Sequence, residues 1–178
     1  MILASASPRR RALLHAAGVS FTVQAADVDE SVLPGEDAAD YARRVAAAKA
    51  EAVPGDVVLA ADTVVALDGR VYGKPATPEE ARATLRALSG RTHQVYTAVA
   101  LRILGRTRVR LVVSRVRFRA LSERDLDWYV ATGEPMDKAG AYGIQGEGMA
   151  LVDRLWGSYT NVMGLPLKET LAMLERTT

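Results

Sequence analysis

Hydrophobic and polar positions along the chain switch repeatedly between strand-like and helix-like spacing, and the switches mark the elements. Residues 2–4 (Ile-Leu-Ala) form a short apolar run that feeds a helix predicted over residues 7–17. Ser7 is a suitable N-cap, Pro8 fits the first helical position, and Gly18 can close the helix in the left-handed conformation. Residues 21–25 pattern as a strand and residues 27–36 as an acidic loop. Tyr41, Val45, Ala48 and Ala52 recur at 3.6-residue spacing, predicting a helix over residues 37–53 that Pro54-Gly55 stops. Residues 57–61 and 63–67 then make a nearly continuous apolar run around Asp62, followed by an Asp68-Gly69 turn.

In the second half, Thr77-Pro78-Glu79-Glu80 predicts a capping box, with Gly90 ending that helix. Residues 95–104 and 107–121 pattern as a long hairpin around Gly105. Its second strand changes phase, since Val109, Leu111 and Val113 alternate on one face while Val116 and Phe118 fall on the other. A one-residue slip turns every side chain over, so a β-bulge is expected near Ser114. Ser122 caps a short helix to Thr132, with Asp125 completing its box. Glycine-rich residues 140–148 lead to a strand over residues 149–156 and a last helix from about Pro166. The alternation predicts an α/β class with a mixed sheet, in a single domain over residues 1–178 large enough to bury a core.

Composition narrows the chemistry. The chain is 49% hydrophobic and 25% charged, the make-up of an ordinary globular protein. Its 23 basic and 21 acidic residues nearly cancel, so any cationic function must come from local clustering. With no cysteine, disulfides, a thiolate nucleophile and a cysteine zinc site are excluded. No signal-peptide core and no membrane-length apolar run is visible, so a cytoplasmic protein without a membrane partner is the expectation.

The unusual feature is Arg9-Arg10-Arg11 in the first turn of a helix. Cations there oppose the helix dipole by up to about 1 kcal/mol each, and a bound phosphate would reverse that sign. The alternative is three solvated side chains. Asp62 inside an apolar run is the second unusual feature. An ionised carboxylate there needs a compensating partner, and such a group at a strand end can be a water-activating base, a metal ligand or a turn cap. Lys49 is expected on the flank of its helix's apolar stripe, where its amine can reach a cleft, and Lys74 lies in Gly73-Lys74-Pro75; plain surface charge is the alternative for both. Asp29-Glu30 could offer oxygen ligands to a divalent metal or be a solvated acidic loop.

Residues 143–148 match neither phosphate-loop pattern, but their glycines permit close backbone approach, and Gln145 offers a donor beside an acceptor. His15 and His93 lack zinc-hydrolase spacing, and His93 is expected at a strand edge. The arginines at 102, 106, 108, 110, 115, 117 and 119 could form a nucleic-acid stripe, but no aromatic ladder accompanies them. A solvated, aggregation-resistant sheet face is the better reading.

Several of these segments together resemble one family. They are Leu3-Ala4-Ser5-Ala6-Ser7-Pro8-Arg9-Arg10, Ala61-Asp62-Thr63-Val64-Val65, Gly73-Lys74-Pro75 and Leu88-Ser89-Gly90 with His93. The others are Asp137-Lys138-Ala139-Gly140-Ala141-Tyr142-Gly143-Ile144-Gln145-Gly146 and Asn161-Val162-Met163-Gly164-Leu165-Pro166. In this order, end to end, they resemble the Maf family of nucleotide pyrophosphatases. The resemblance implies a Maf-type α/β fold related to inosine triphosphate pyrophosphatases, with two lobes around a cleft and an elongated mixed sheet flanked by helices. It implies hydrolysis of dTTP and UTP, with a divalent metal (Mg or Mn) as cofactor and a homodimer as assembly. The branch acting on 7-methyl-GTP and a nucleotide-binding regulator of cell division are the alternatives. By matching position, Asp62 would be the proton acceptor or a metal ligand, with Glu30 near the metal. Lys49 and Lys74 would serve catalysis, Ser5, Arg9 and Arg10 would hold triphosphate, and Arg9, Thr63 and Gln145 would bear on substrate choice.

Overall fold

A computed structural model describes residues 1–175. Seven strands form one mixed sheet: β1 (Ile2–Leu3), β2 (Thr22–Val23), β3 (Val57–Leu67), β4 (Arg70–Tyr72), β5 (Thr92–Ile103), β6 (Arg106–Phe118) and β7 (Val152–Trp156). Their order is β2-β1-β3-β5-β6-β7, with β4 also paired to β3. Among the described residues six α-helices accompany it: α1 (Pro8–Ala16), α2 (Ala38–Ala52), α3 (Pro78–Leu88), α4 (Glu123–Ala131), α5 (Tyr159–Met163) and α6 (Leu167–Glu175). Among the described residues no helix is long and apolar enough to cross a membrane.

The architecture follows from β3, whose residues are nearly all buried because both faces of the sheet are covered. Antiparallel β5 pairs along one edge of β3 from Val57↔Ile103 to Ala66↔Gln94. The other edge is shared. Parallel β1 pairs at Val58 and Leu59, antiparallel β4 pairs only from Val65 onward, and no described strand covers the stretch between. That gap lies where the chain leaves β1 for α1, the kind of position outside a strand's carboxyl end where α/β sheets bind ligands.

Side chains alternate across β3 and β5, so each face gathers its own core. Val58, Ala60, Val64 and Ala66 of β3, with Ala98 and Ala100 of β5, pack under Ala42, Val45, Ala46 and Ala50 of α2. On the opposite face Leu59, Ala61, Val99 and Leu101 meet Leu13 and Leu14 of α1, Met163 of α5 and Leu165. Farther along that face Val65, Val95, Val116 and Phe118 meet Leu85 and Leu88 of α3 and Leu126 and Tyr129 of α4. A cleft opens at the gap beside β3, lined by residues from both faces of the sheet.

Several local expectations change. The run around Asp62 is one unbroken strand, because both neighbours of Asp62 pair in register with β5 and leave no kink to end it. No bulge occurs near Ser114. Pairing between β5 and β6 is continuous from Thr92↔Arg117 to Ile103↔Arg106, and the first irregularity is at Arg117/Phe118, opposite β7. The phase change in β6 instead records a change of cover. Leu111 packs with the α2 core, whereas Val116 and Phe118 pack with the core under α3 and α4. The capping pair of α3 is also rearranged, since Thr77 accepts from Glu80 N–H but the Glu80 carboxylate accepts from Ala76 N–H. The short β4 and α5 were not anticipated. The last strand begins three residues later than expected because a 3-10 segment, Gly146–Leu151, precedes it.

Candidate active site

Two of the three arginines in the first turn of α1 point into the cleft. Ser7 caps the helix, accepting the Arg10 N–H at 3.5 Å, and the turn aims Arg10 back toward β3. Its Nε donates to the Gly164 carbonyl at 2.7 Å, Nη1 to Ser5 Oγ at 3.0 Å and Nη2 to Thr63 Oγ1 at 3.2 Å. A guanidinium has five N–H donors, so two remain for a ligand. Gly164 reaches this place by ending α5 with φ near +112°, which only glycine adopts readily. Burial draws the Arg10 pKa below its ordinary value, with Asp62 opposing that shift and Arg9 adding to it. Arg9 Nη1 meets Asp137 Oδ2 at 3.2 Å. Arg11 is exposed on the outer side of the turn.

Opposite these arginines lies a buried ion pair. Lys49 Nζ donates to Asp62 Oδ1 at 2.8 Å and sits 2.9 Å from Glu30 Oε1, bridging two carboxylates. Asp62 is 5% exposed, and its second oxygen, Oδ2, is buried with no hydrogen-bond partner. A buried acceptor in that state is costly unless a ligand or solvent group completes it. The sequence placed Lys49 on the flank of an apolar stripe. The buried face of α2 is in fact Tyr41, Ala42, Val45, Ala46, Lys49 and Ala50, one notch around, which puts the lysine within the stripe itself. Asp62 is not at a strand end as expected but in mid-strand, buried, and it lines the cleft beside the gap in β3's edge.

The loop before α2 delivers Glu30. Arg44 holds it by gripping Glu36 through Nε at 2.6 Å and Nη2 at 2.7 Å, and by donating to the Ser31 carbonyl at 2.8 Å. Tyr41 Oη donates to the Glu30 carbonyl at 2.9 Å. Burial, and after it the nearby Asp62 and Glu30 carboxylates, push the Tyr41 phenol up to about 12. Asp29, the partner of Glu30 in the acidic pair, turns away and closes a local turn by accepting the Ser31 N–H at 2.8 Å.

The cleft has a volume of about 580 Å³, and all nine residues nominated from sequence line it: Ser5, Arg9, Arg10, Glu30, Lys49, Asp62, Thr63, Lys74 and Gln145. Lys74 and Gln145 are exposed at its mouth. Thr63 also has a structural task. Its hydroxyl accepts from Arg10 and lies 2.9 Å from Thr97 Oγ1, which in turn donates to the Asn161 carbonyl. Glu30 and Asp62 are the carboxylates placed to hold a cation, and no group of three or more metal-binding side chains occurs among the described residues.

Tyr41, Asp137 and Lys138 line the cleft without having been given a role from sequence. Asp137 and Lys138 could have been found from their place in a motif beside Gln145. Conversely, His93 is not at an edge but fully buried in central β5, its ring edge-on to Phe118 and Tyr142, with Nε2 2.8 Å from Tyr142 Oη. Burial lowers its pKa to about 4, keeping it neutral, and it does not itself line the cleft. The hairpin arginines stay outside the cleft.

The sequence matches the family described as Maf-like protein over residues 1–177. A relative from Myxococcus xanthus, named dTTP/UTP pyrophosphatase, is 56% identical over 181 residues, spanning 99% of this chain and 91% of that protein. Another of the same name, from Anaeromyxobacter dehalogenans, is 54% identical over 180 residues, spanning 99% and 93%. A HAM1 protein from Coxiella burnetii superposes with a TM-score of 0.54 at 20% identity over 98% of each chain, a likeness of fold alone. With its family pattern matched end to end and its nominated residues gathered in one cleft, the chain belongs to the Maf family.

Proposed function

We propose that this chain is a nucleoside triphosphate pyrophosphatase that hydrolyses dTTP and UTP to the monophosphate and pyrophosphate. The observation that carries this reading is Asp62, with one oxygen held by Lys49 and the other buried and unpartnered, in the same cleft as Arg9, Arg10 and Lys74. Relatives at 54–56% identity bear the name of this activity.

Triphosphate cleavage needs charge neutralisation and alignment more than covalent help from the protein. The two remaining Arg10 donors, Arg9, Lys74 and the Ser5 hydroxyl receive the phosphate oxygens at the start of α1, where the helix dipole also favours an anion. Lys49 keeps Asp62 oriented, and the carboxylate takes the proton of a water attacking the α- or β-phosphorus in line. The Glu30 and Asp62 carboxylates would hold a divalent cation, Mg²⁺ or Mn²⁺, since a small hard cation needs only one or two carboxylates, with phosphates and water supplying the rest. When bound it neutralises charge that develops on the phosphates. The orphaned Asp62 oxygen supports that placement. At the mouth, the Gln145 amide matches the adjacent acceptor and donor of uracil or thymine, and bases that leave those groups unpaired are disfavoured. The enzyme works in the cytoplasm as a homodimer, with no nucleic-acid partner.

The test is a panel of nucleoside triphosphates, including 7-methyl-GTP, incubated with purified protein and Mg²⁺ or Mn²⁺. Pyrophosphate release should be fastest from dTTP and UTP. No release from any pyrimidine triphosphate ends the proposal, and preference for 7-methyl-GTP moves the chain to the other branch. Sedimentation of the same preparation reads the dimer.

A further inference from the structure

Gln145 can select a base only if its loop is held still, and the hold comes from residues outside the cleft. Tyr129, on the buried face of α4, donates its phenol hydrogen to Glu134 Oε1 at 2.8 Å and accepts the Gly143 N–H at 3.1 Å. Glu134 Oε1 also accepts the Gly148 N–H at 3.1 Å, and Oε2 accepts the Glu147 N–H at 3.1 Å. The loop is therefore fastened at both ends with Gln145 between the fastenings. Gln145 itself makes no hydrogen bond to another described residue, and its amide is presented at the cleft mouth.

The glycines here serve this closure rather than a ligand's approach. A Cβ on Gly148 would lie 2.1 Å from the Gly143 carbonyl oxygen and 2.6 Å from Tyr129 Oη. A Cβ on Gly146, whose φ is +67°, would meet Glu134 Oε2 at 2.8 Å. No side chain fits inside the clamp.

Resting on the pyrimidine reading above, we infer that Glu134 and Tyr129 are positioning residues that set base selection by fixing the loop that presents Gln145. A carboxylate accepting several bonds from one loop orders it before the ligand arrives, so the ordering does not have to be met from binding. Released, the amide can turn either its oxygen or its nitrogen to a base, and discrimination falls before phosphate binding does.

The experiment is a double-mutant cycle on binding, using non-hydrolysable α,β-imido UTP and CTP and, for the phosphate end, inorganic tripolyphosphate. Glu134→Gln removes the Oε2 acceptor at nearly constant volume, and Tyr129→Phe removes only the hydroxyl. Each should lower the preference for the UTP analogue about tenfold while leaving tripolyphosphate affinity within twofold. On a Gln145→Ala background neither should change the preference by more than about twofold. An unchanged preference in the single variants overturns the inference, as does an equal loss with and without Gln145, which would mark a merely structural role. A parent protein that binds the UTP and CTP analogues equally overturns instead the uracil selection by Gln145 on which the inference rests. The clamp is then judged by amide hydrogen exchange at residues 143–148, where faster exchange in Glu134→Gln supports it and unchanged exchange sinks it.

Discussion

The molecule has two clusters of arginine, and they come to opposite ends. In the first turn of α1, Arg9 and Arg10 converge on one cleft, and Arg10 is held by three acceptors from three separate segments. Along the β5–β6 hairpin, strand alternation sends Arg106, Arg108 and Arg110 to one face and Arg115 and Arg117 to the other. Several arginines of the hairpin and its ends are occupied locally. Arg102 bonds the carbonyls of Ala50, Val53 and Gly55 at the end of α2, Arg119 pairs with Asp125, and Arg115 lies over Trp156. Density of charge in the sequence is therefore a poor guide to a site. What matters is whether guanidinium groups converge in a place sheltered from water with donors left over. Helical turns at a strand end can do that, and an exposed strand cannot.

The sharpest way to break this contrast is to remove what the convergent cations serve. Asp62→Asn keeps the shape and the Lys49 contact but abolishes the proton acceptor, so kcat on dTTP should fall by at least ~100-fold with the fold intact by circular dichroism. A rate within tenfold of the parent would remove Asp62 from the chemistry and leave the cationic wall without a purpose. Next in size is the direct comparison of one arginine from each cluster. Arg10→Ala should lower kcat/KM on dTTP by about 30-fold or more, the loss seen when one partner of a sheltered charge pair is cut away. Arg108→Ala, exposed at the hairpin, should leave kcat/KM within about twofold, as surface substitutions do. Equal losses at the two positions would mean that the hairpin also meets the substrate.

How much of this contrast was readable beforehand depends on the range of the interactions. The start of α1 was legible because its signals are local: a serine cap, a proline after it and charges of the wrong sign for a bare helix end. Asp62 was legible because a carboxylate in an apolar run needs a reason wherever the run ends up. The capping box of α4 was also fully formed as expected. What escaped depends on contacts between segments far apart. Val109 to Phe118 looked like a register slip because nothing in the strand says that α2 covers one end of it and α3 with α4 the other. Lys49 shifted from flank to buried face because the sheet, not the helix, decides which stripe is inward. The Glu134–Tyr129 clamp joins α4 to a loop 14 residues later and carries no periodicity at all. Two short elements were missed despite local signals, β4 behind its Asp68-Gly69 turn and α5 between Ser158 at its cap and Gly164 at its end, because three and five residues are too few for a period to show.

A smaller effect sharpens the structural half of the contrast. If hairpin arginines serve the fold, Arg102→Ala should cost stability without touching catalysis. It leaves the last carbonyls of α2 without their charged donor, a loss of about 1.5–3 kcal/mol by denaturant unfolding, while KM for dTTP stays within twofold. A raised KM with unchanged stability would assign Arg102 to the site and blur the division between the clusters.

The smallest effect concerns the one place where the cleft cluster behaves like the surface one. Arg9 is paired with Asp137, and Asp137 is held also by Lys138 at 2.6 Å. Although burial pushes the Asp137 carboxyl up, Lys138 and Arg9 outweigh it and hold the group below its usual range. It is therefore ionised throughout neutral and mildly acidic conditions, and its charge does not switch there. That carboxylate masks two cations that a polyphosphate would otherwise meet, and it repels the phosphate as well. Asp137→Asn should accordingly lower KM for dTTP, by about two- to fivefold, the range of a half-exposed ion pair worth up to ~1 kcal/mol. The gain should shrink as salt rises and vanish near ~0.5 M, where screening acts within about 4 Å. A KM that rises instead would show that Asp137 aligns Arg9 for phosphate rather than masking it. In that case even the outermost arginine of the cleft owes its function to a fixed partner, as Arg10 does.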